Sequence, residues 1–318
     1  MTITSPTAAF YLLLFVAFIW GGEFVLVDIS IAELPTNSFN AIRFMLAALA
    51  IIPIYYFSSE RKQHKDYFKL TYTGLGLGFL LFIGFYTQTE GMHYTSVSNA
   101  GFITGLCVPL VSVLGFVFFK SKTSLPAWLG IITATTGIYL LTVGDKLEFN
   151  SGDLLVLTCA FAFAFHIIIT GKVIKGLPVL LLSTIQLLAV AAYSLIAALA
   201  SPDPFFYHPE NPPVSWFEQL STTIIWTSIL ITAIFGTAYA YWAQSACQKI
   251  MQPHKVALIF ATEPVFACIS AWLFLNETLG WLGFIGAGLI IVGMLISELG
   301  DKNHPAKIET LDHTSAAP

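Results

Sequence analysis

Charge is what this sequence has least of. Lysine, arginine, aspartate and glutamate make up only 10% of its 318 residues, and the formal net charge is -4. So little polar side chain cannot clothe a water-soluble globule of this length. The few basic residues form no arm or stripe of the kind that grips nucleic acid, so no nucleic-acid partner is expected. Cysteine is scarce as well. Cys107, Cys159, Cys247 and Cys268 lie singly in apolar runs, without metal or redox spacing, and read as packed, inert thiols. Also missing are HExxH, GxSxG and any histidine cluster. No metal or cofactor is called for, and an intramembrane enzyme, one alternative reading, lacks a convergent nucleophile and base. A membrane sensor or scaffold, the other alternative, would need an interaction domain or a charged docking tail, and neither is visible.

Apolar residues fill the space that charge leaves. They account for 56% of the chain, and the mean hydropathy is +0.78. A bilayer core about 30 Å thick asks for about 20 apolar residues per helix. Ten such runs are present: Ala8 to Val27, Phe39 to Phe57, Leu70 to Thr89, Asn99 to Phe119, Leu125 to Val143, Leu154 to Ile174, Val179 to Ala200, Thr223 to Ala246, Val256 to Leu275 and Trp281 to Ser297. The expected fold class is therefore an all-α membrane protein of ten transmembrane helices. The first run has no positively charged leader or small-residue cleavage site and is expected to stay as a helix of the mature protein.

Cytoplasmic loops carry the excess of lysine and arginine. With the N-terminus inside, Arg61, Lys62, Lys65, Lys69, Lys120, Lys122, Lys172, Lys175, Lys249, Lys255, Lys302 and Lys307 fall in the cytoplasm and only Lys146 outside. The expectation is a multi-pass protein of the cell (inner or plasma) membrane with both termini cytoplasmic. The longest exterior loop, Ser201 to Thr222, holds five prolines and no base, which fits a stiff surface connection.

An internal duplication organises the chain. Pro109 breaks the fourth run, a short basic turn follows, and the fifth run opens on Trp128-Leu129-Gly130; near the C-terminus Pro264, a polar turn and Trp281-Leu282-Gly283 repeat that plan. The prolines are 155 residues apart and the tryptophans 153, a match that needs only a two-residue gap. Two repeats, 8–143 and 154–297, followed by a cytoplasmic tail, 298–318, are expected. Five spans per repeat is an odd number, so the second copy must enter the membrane from the opposite side. Two inverted five-helix repeats suit a secondary transporter with its site near the midplane.

The assembled motifs resemble the drug/metabolite transporter superfamily, in its ten-helix branch of two EamA-like repeats. Carrying the resemblance are Trp20-Gly21-Gly22, Arg43-Phe44, the run Tyr94-Thr95-Ser96-Val97-Ser98-Asn99-Ala100 leading to Pro109, and Asn276-Glu277-Thr278-Leu279 before Trp281. The resemblance covers nearly the whole chain. It implies a plasma-membrane carrier, commonly an exporter of amino acids or other small metabolites, with no ATP-hydrolysing part. Its partners are then a small-molecule substrate and the lipid bilayer. One departure is Glu23, where relatives often have a small polar residue; a carboxylate there bears on the charge of the accepted substrate.

Ionisable groups inside a span are costly and are functional candidates by default. Glu23 near the outer end of the first helix and Arg43 near the outer start of the second both lie roughly 7 to 9 Å below the surface, so they can pair. The pair either pins two helices or serves transport, with Arg43 meeting a substrate carboxylate or Glu23 taking a proton. Glu263 precedes Pro264, whose missing hydrogen bond frees a carbonyl, and is a candidate proton carrier or a bond to a neighbouring helix. His166 is a candidate proton relay or a packing histidine. Tyr86, Gln88, Asn99, Tyr239, Trp242 and Gln244 are candidate substrate contacts, an aromatic and amide cage, against the alternative of packing and interfacial anchoring. Gly74, Gly76 and Gly78 and the GxxxG of Gly101 and Gly105 suit close helix packing, with a homodimer contact as their other use.

Overall fold

The computed structural model describes residues 3–62, 66–95, 97–121, 123–142, 150–206, 223–275 and 280–302. The loop beyond 206, the motif Asn276 to Leu279, Lys122, Lys146, the tail beyond Lys302 and the side chain of Asn99 lie outside what is described. Helix is the only regular structure among the described residues. The helices are α1 (Pro6–Ile31), α2 (Thr36–Phe57), α3 (Tyr67–Gly91), α4 (Val97–Gly105), α5 (Cys107–Phe119), α6 (Leu125–Thr142), α7 (Ser151–Val173), α8 (Val179–Ala200), α9 (Thr223–Ile231), α10 (Ala240–Cys247), α11 (Pro253–Phe260), α12 (Glu263–Leu275) and α13 (Trp281–Lys302). Between α9 and α10 the chain stays helical but widens into π turns over Thr232–Tyr239. Among the described residues, eight segments are long and apolar enough to cross a bilayer, and Leu125–Leu141 and Trp281–Ser297 are shorter apolar helices. Phe57, Phe68, Leu199 and Phe274 are exposed, as side chains that meet lipid should be.

Local chemistry sets the helix ends. Ser5 caps α1 by accepting from the Ala8 N–H at 3.4 Å, with Pro6 in the first turn. A capping box closes the start of α7: Asn150 Oδ1 accepts from Asp153 N and Asp153 Oδ2 accepts from Asn150 N, both at 3.0 Å. Pro35 and Pro178 occupy the same place before α2 and α8. The two breaks have one cause. A proline ring clashes with the carbonyl four residues earlier and removes its hydrogen bond. Four residues before Pro109 is Gly105, the last of α4; four before Pro264 is Phe260, the last of α11.

Small residues bring the helices together. A Cβ on Gly137 would lie 2.6 Å from the Gly286 carbonyl, and one on Gly130 would lie 2.5 Å from the Gly293 carbonyl. Higher numbers in α6 thus meet lower numbers in α13, so these two helices run antiparallel. α2 and α8 also run antiparallel, since the Leu180 N–H at the start of α8 donates to Glu60 Oε2, just past α2, at 2.9 Å. Gly74 and Gly78 seat α3 against Ile185 and Ala189 of α8, whereas Gly76 and Gly101 face open space. On its other side α3 packs on α7, and α1 packs on α12.

Candidate functional site

A cavity opens where the two broken helices meet. A Cβ on Gly105 would touch Pro264 Cγ at 3.4 Å, so the break ahead of Pro109 faces the break ahead of Pro264. Thr104, Gly105, Cys107 and Val108 line the hollow from one break, and Ala257, Phe260 and Glu263 from the other. Helical spacing supplies the rest. α1 presents Trp20, Glu23, Phe24 and Val27, and α3 presents Phe85, Gln88, Thr89 and Met92, both with the i, i+3, i+4, i+7 step of one helix face. Arg43 enters from α2, Phe163, His166 and Ile167 from α7, and Tyr241 and Gln244 from α10. The cavity volume of about 60 Å³ has room for several waters or a small solute.

One ion pair holds the α1 side. Arg43 Nη2 donates to Glu23 Oε1 at 2.5 Å, and Arg43 Nε donates to Thr237 Oγ1 at 2.7 Å. The guanidinium is 1% exposed and sits 5.1 to 5.9 Å from the ring centres of Phe39, Phe44 and Phe85, within cation–π range. The widened turns shape this corner. Thr237 returns its own hydroxyl proton to the Thr232 carbonyl five residues back at 2.8 Å, and the Trp20 indole N–H donates to the Gly236 carbonyl at 2.7 Å. Gly236 is required there because a Cβ would collide with the Glu23 carboxylate. Wide turns of this kind recur at functional sites.

A neutral network holds the other side. His166 Nε2 lies 3.1 Å from Gln186 Oε1, and His166 Nδ1 lies 3.4 Å from Gln244 Nε2. With its proton on Nε2 the imidazole donates to Gln186 and accepts from Gln244. Gln248 Nε2 donates to the Ile167 carbonyl at 2.7 Å. Gln88 Nε2 donates to Thr104 Oγ1 at 3.0 Å.

These partners fall into register between the halves. Glu23 and Arg43 are 20 residues apart, and so are His166 and Gln186. Glu23 precedes His166 by 143 residues, Arg43 precedes Gln186 by 143, and Pro35 precedes Pro178 by 143. Further along the offset grows: Phe85 and Gln88 precede Tyr241 and Gln244 by 156, while Val108 precedes Glu263 by 155. A charged pair in the first half thus answers a neutral pair in the second, and a valine answers a glutamate.

Of the residues singled out in the sequence, the structure brings Glu23, Arg43, Gln88, His166, Gln244 and Glu263 to one cavity. Tyr86, Tyr239 and Trp242 stand elsewhere. Tyr86 stacks on Phe82, and Tyr239 and Trp242 pack on each other at 6.0 Å. The reason is angular: Tyr86 and Gln88, like Trp242 and Gln244, are two residues apart, about 200° around a helix, so both cannot face one hollow. Of the aromatic rings that do line it, Trp20, Phe85, Phe163, Tyr241 and Phe260 each precede a polar lining residue by three, and Phe24 directly follows Glu23. That i, i+3 step was the available signal. Thr237 was missed because nothing in the sequence marks π turns.

The fold and this polar hollow among apolar helices define a multi-pass membrane protein with a solute-sized site. The chain belongs to the EamA-like transporter family, whose model matches residues 7–143 and 150–299, in keeping with the drug/metabolite transporter resemblance. It is 31% identical over 284 residues to an uncharacterized transporter of Archaeoglobus fulgidus, covering 89% of this chain and 83% of that one. It is 27% identical to the uncharacterized transporter YyaM of Bacillus subtilis, covering 86% and 88% of the two chains. It is 23% identical to the uncharacterized inner membrane transporter YedA of Escherichia coli K12, covering 91% and 90%. A protein of known crystal structure shares the fold with a TM-score of 0.73 at 16% identity, covering 94% of this chain and 99% of the other.

Proposed function

We propose that this protein is a secondary transporter of small metabolites, an exporter of amino acids or related compounds, working by alternating access between two inverted five-helix repeats of a ten-helix bundle. The apposition of the two proline breaks across the cavity carries the reading. Breaks at membrane depth are tolerated where they line a cavity, and here each repeat contributes one, together with one glutamine of the pair Gln88 and Gln244. The antiparallel course of α6 and α13, each the last helix of its half, supports inversion. The two matches to one family model support the duplication itself. Packing partners also exchange between halves: α3 lies on α7 as the π segment and its flanking helices lie on α1, and α1 lies on α11 and α12 as α7 lies on α4 and α5. The excess of lysine and arginine in alternate loops supports an N-terminus and a C-terminus on the cytoplasmic side.

Within this cycle the Glu23 and Arg43 charges cancel and join α1, α2 and the π segment. Glu263 is the cavity acid left to take a cation, a proton included. The test is counterflow in proteoliposomes. Vesicles loaded with unlabelled amino acids and related metabolites are expected to accumulate the labelled counterpart transiently. Failure of every solute to cross, with a bond-breaking activity instead, overturns the transporter reading.

A further inference from the structure

Summing the charges in the cavity leaves one unanswered. Glu23 and Arg43 neutralise each other, and the remaining Arg43 contact is spent on Thr237. His166 is satisfied at both ring nitrogens by Gln186 and Gln244. Glu263 differs from all of these: among the described residues no hydrogen bond or ion pair reaches its carboxylate, yet it lines the hollow. Repeat packing does not demand an acid at this place, because the equivalent position of the first half is filled by Val108, which also lines the cavity. A lone carboxylate at membrane depth is costly unless something compensates it.

The surroundings say what compensates it. Trp20 lies against Phe260 at 4.8 Å between ring centres and against Tyr241 at 5.8 Å, and Tyr241 against Phe85 at 6.0 Å. A hard metal ion needs six or more oxygen ligands, and among the described residues no group of three or more histidine, cysteine, aspartate or glutamate side chains is placed to hold one. Organic cations are attracted by both a carboxylate and aromatic faces. Among the described residues that line the cavity an anionic cargo finds no free lysine or arginine, since Arg43 is already engaged by Glu23 and Thr237.

We propose that the cavity binds a small organic cation, an ammonium group on an apolar body, with its charge on Glu263 and its body against Trp20, Tyr241 and Phe260. The ammonium is the group that is read, and a carboxylate on the cargo is not needed. This deepens the transporter reading by naming the class of cargo, and it rests on that reading's assignment of this cavity.

The test is calorimetric binding to the purified full-length protein in lipid nanodiscs, without any gradient, using four probes of one size: benzylammonium, benzyl alcohol, benzoate and phenylglycine. Benzylammonium is expected to bind, benzoate to give no heat, benzyl alcohol to bind weakly, and phenylglycine to bind no tighter than benzylammonium. Glu263→Gln is expected to weaken benzylammonium by at least about thirtyfold, the weak end of losing one partner of a buried charge pair. The probe series on the unaltered protein stands by itself if that variant does not fold. Benzoate binding as tightly as benzylammonium, no binding of benzylammonium at millimolar concentration, or unchanged affinity in Glu263→Gln overturns the proposal. Counterflow of another solute without benzylammonium binding would remove this inference alone. Benzylammonium binding without any counterflow would remove the transport reading alone.

Discussion

Replacing Arg43 by methionine tests how the first pair is held. The Arg43 side chain is 1% exposed and its two hydrogen bonds go to Glu23 at 2.5 Å and Thr237 at 2.7 Å. Its removal strands the Glu23 carboxylate, whose other oxygen, Oε2, already lacks a hydrogen-bond partner among the described residues. Breaking a buried pair from one side costs about 3–5 kcal/mol, because the surviving charge is left without compensation. Glu23→Gln strands the guanidinium instead and is expected to cost a similar amount. Removing both charges in Glu23→Gln with Arg43→Met leaves no orphan, and is expected to fall within about 2 kcal/mol of the unaltered protein, since a buried pair is often neutral against uncharged replacements. The double-variant cycle is measured by equilibrium unfolding with SDS in mixed micelles, where the coupling of the two sites should be several kcal/mol. Costs that simply add would show that the two side chains do not depend on each other, and the assigned role of the pair would fail.

Two further outcomes follow from the packing. Gly137→Leu places a side chain where the Gly286 carbonyl lies 2.6 Å from the position of a Cβ. Overpacking of this kind costs about 1–3 kcal/mol, so the thermal midpoint in detergent should drop, while Gly76→Leu, in open space, should leave it unchanged. Equal effects would contradict the α6 and α13 contact. Trp20→Phe removes the N–H that donates to the Gly236 carbonyl at 2.7 Å and should cost about 1 kcal/mol in the same unfolding assay; an unaltered stability would mean that the π segment does not rely on that bond.

Much of the architecture was legible in the sequence because a membrane asks for a blunt signal. Apolar length located the eight segments long enough to cross a bilayer and the two shorter apolar helices among the described residues, and the bounds differ from the observed ones mainly where helices run past the apolar stretch, as α1 does to Ile31 and α13 to Lys302. Pro109 and Pro264 marked the breaks, and charge scarcity made Glu23 and Arg43 visible as partners. The lining rings were not legible, because the face of a helix that meets a cavity is chosen by its neighbours. Tyr86 and Trp242 carry the right chemistry on the wrong side, while Phe85 and Tyr241, one residue earlier, face inward. The correspondence of Glu23 and Arg43 with His166 and Gln186 was hidden for a different reason. The offset between the halves shifts from 143 to 156 across the differing connections after α2 and α8, so a single repeat spacing cannot reveal both sets of mates.

Accessibility of the cavity from the two sides of the membrane tests alternating access most directly. In a variant whose four native cysteines are replaced by alanine, Thr104→Cys places one thiol beside the paired breaks. Sealed vesicles are treated with a membrane-impermeant maleimide either outside or within the lumen. The expected result is labelling from each side in turn, slowed by a transported solute. Labelling from one side alone, whatever solute is present, would contradict a cavity that opens alternately to both faces.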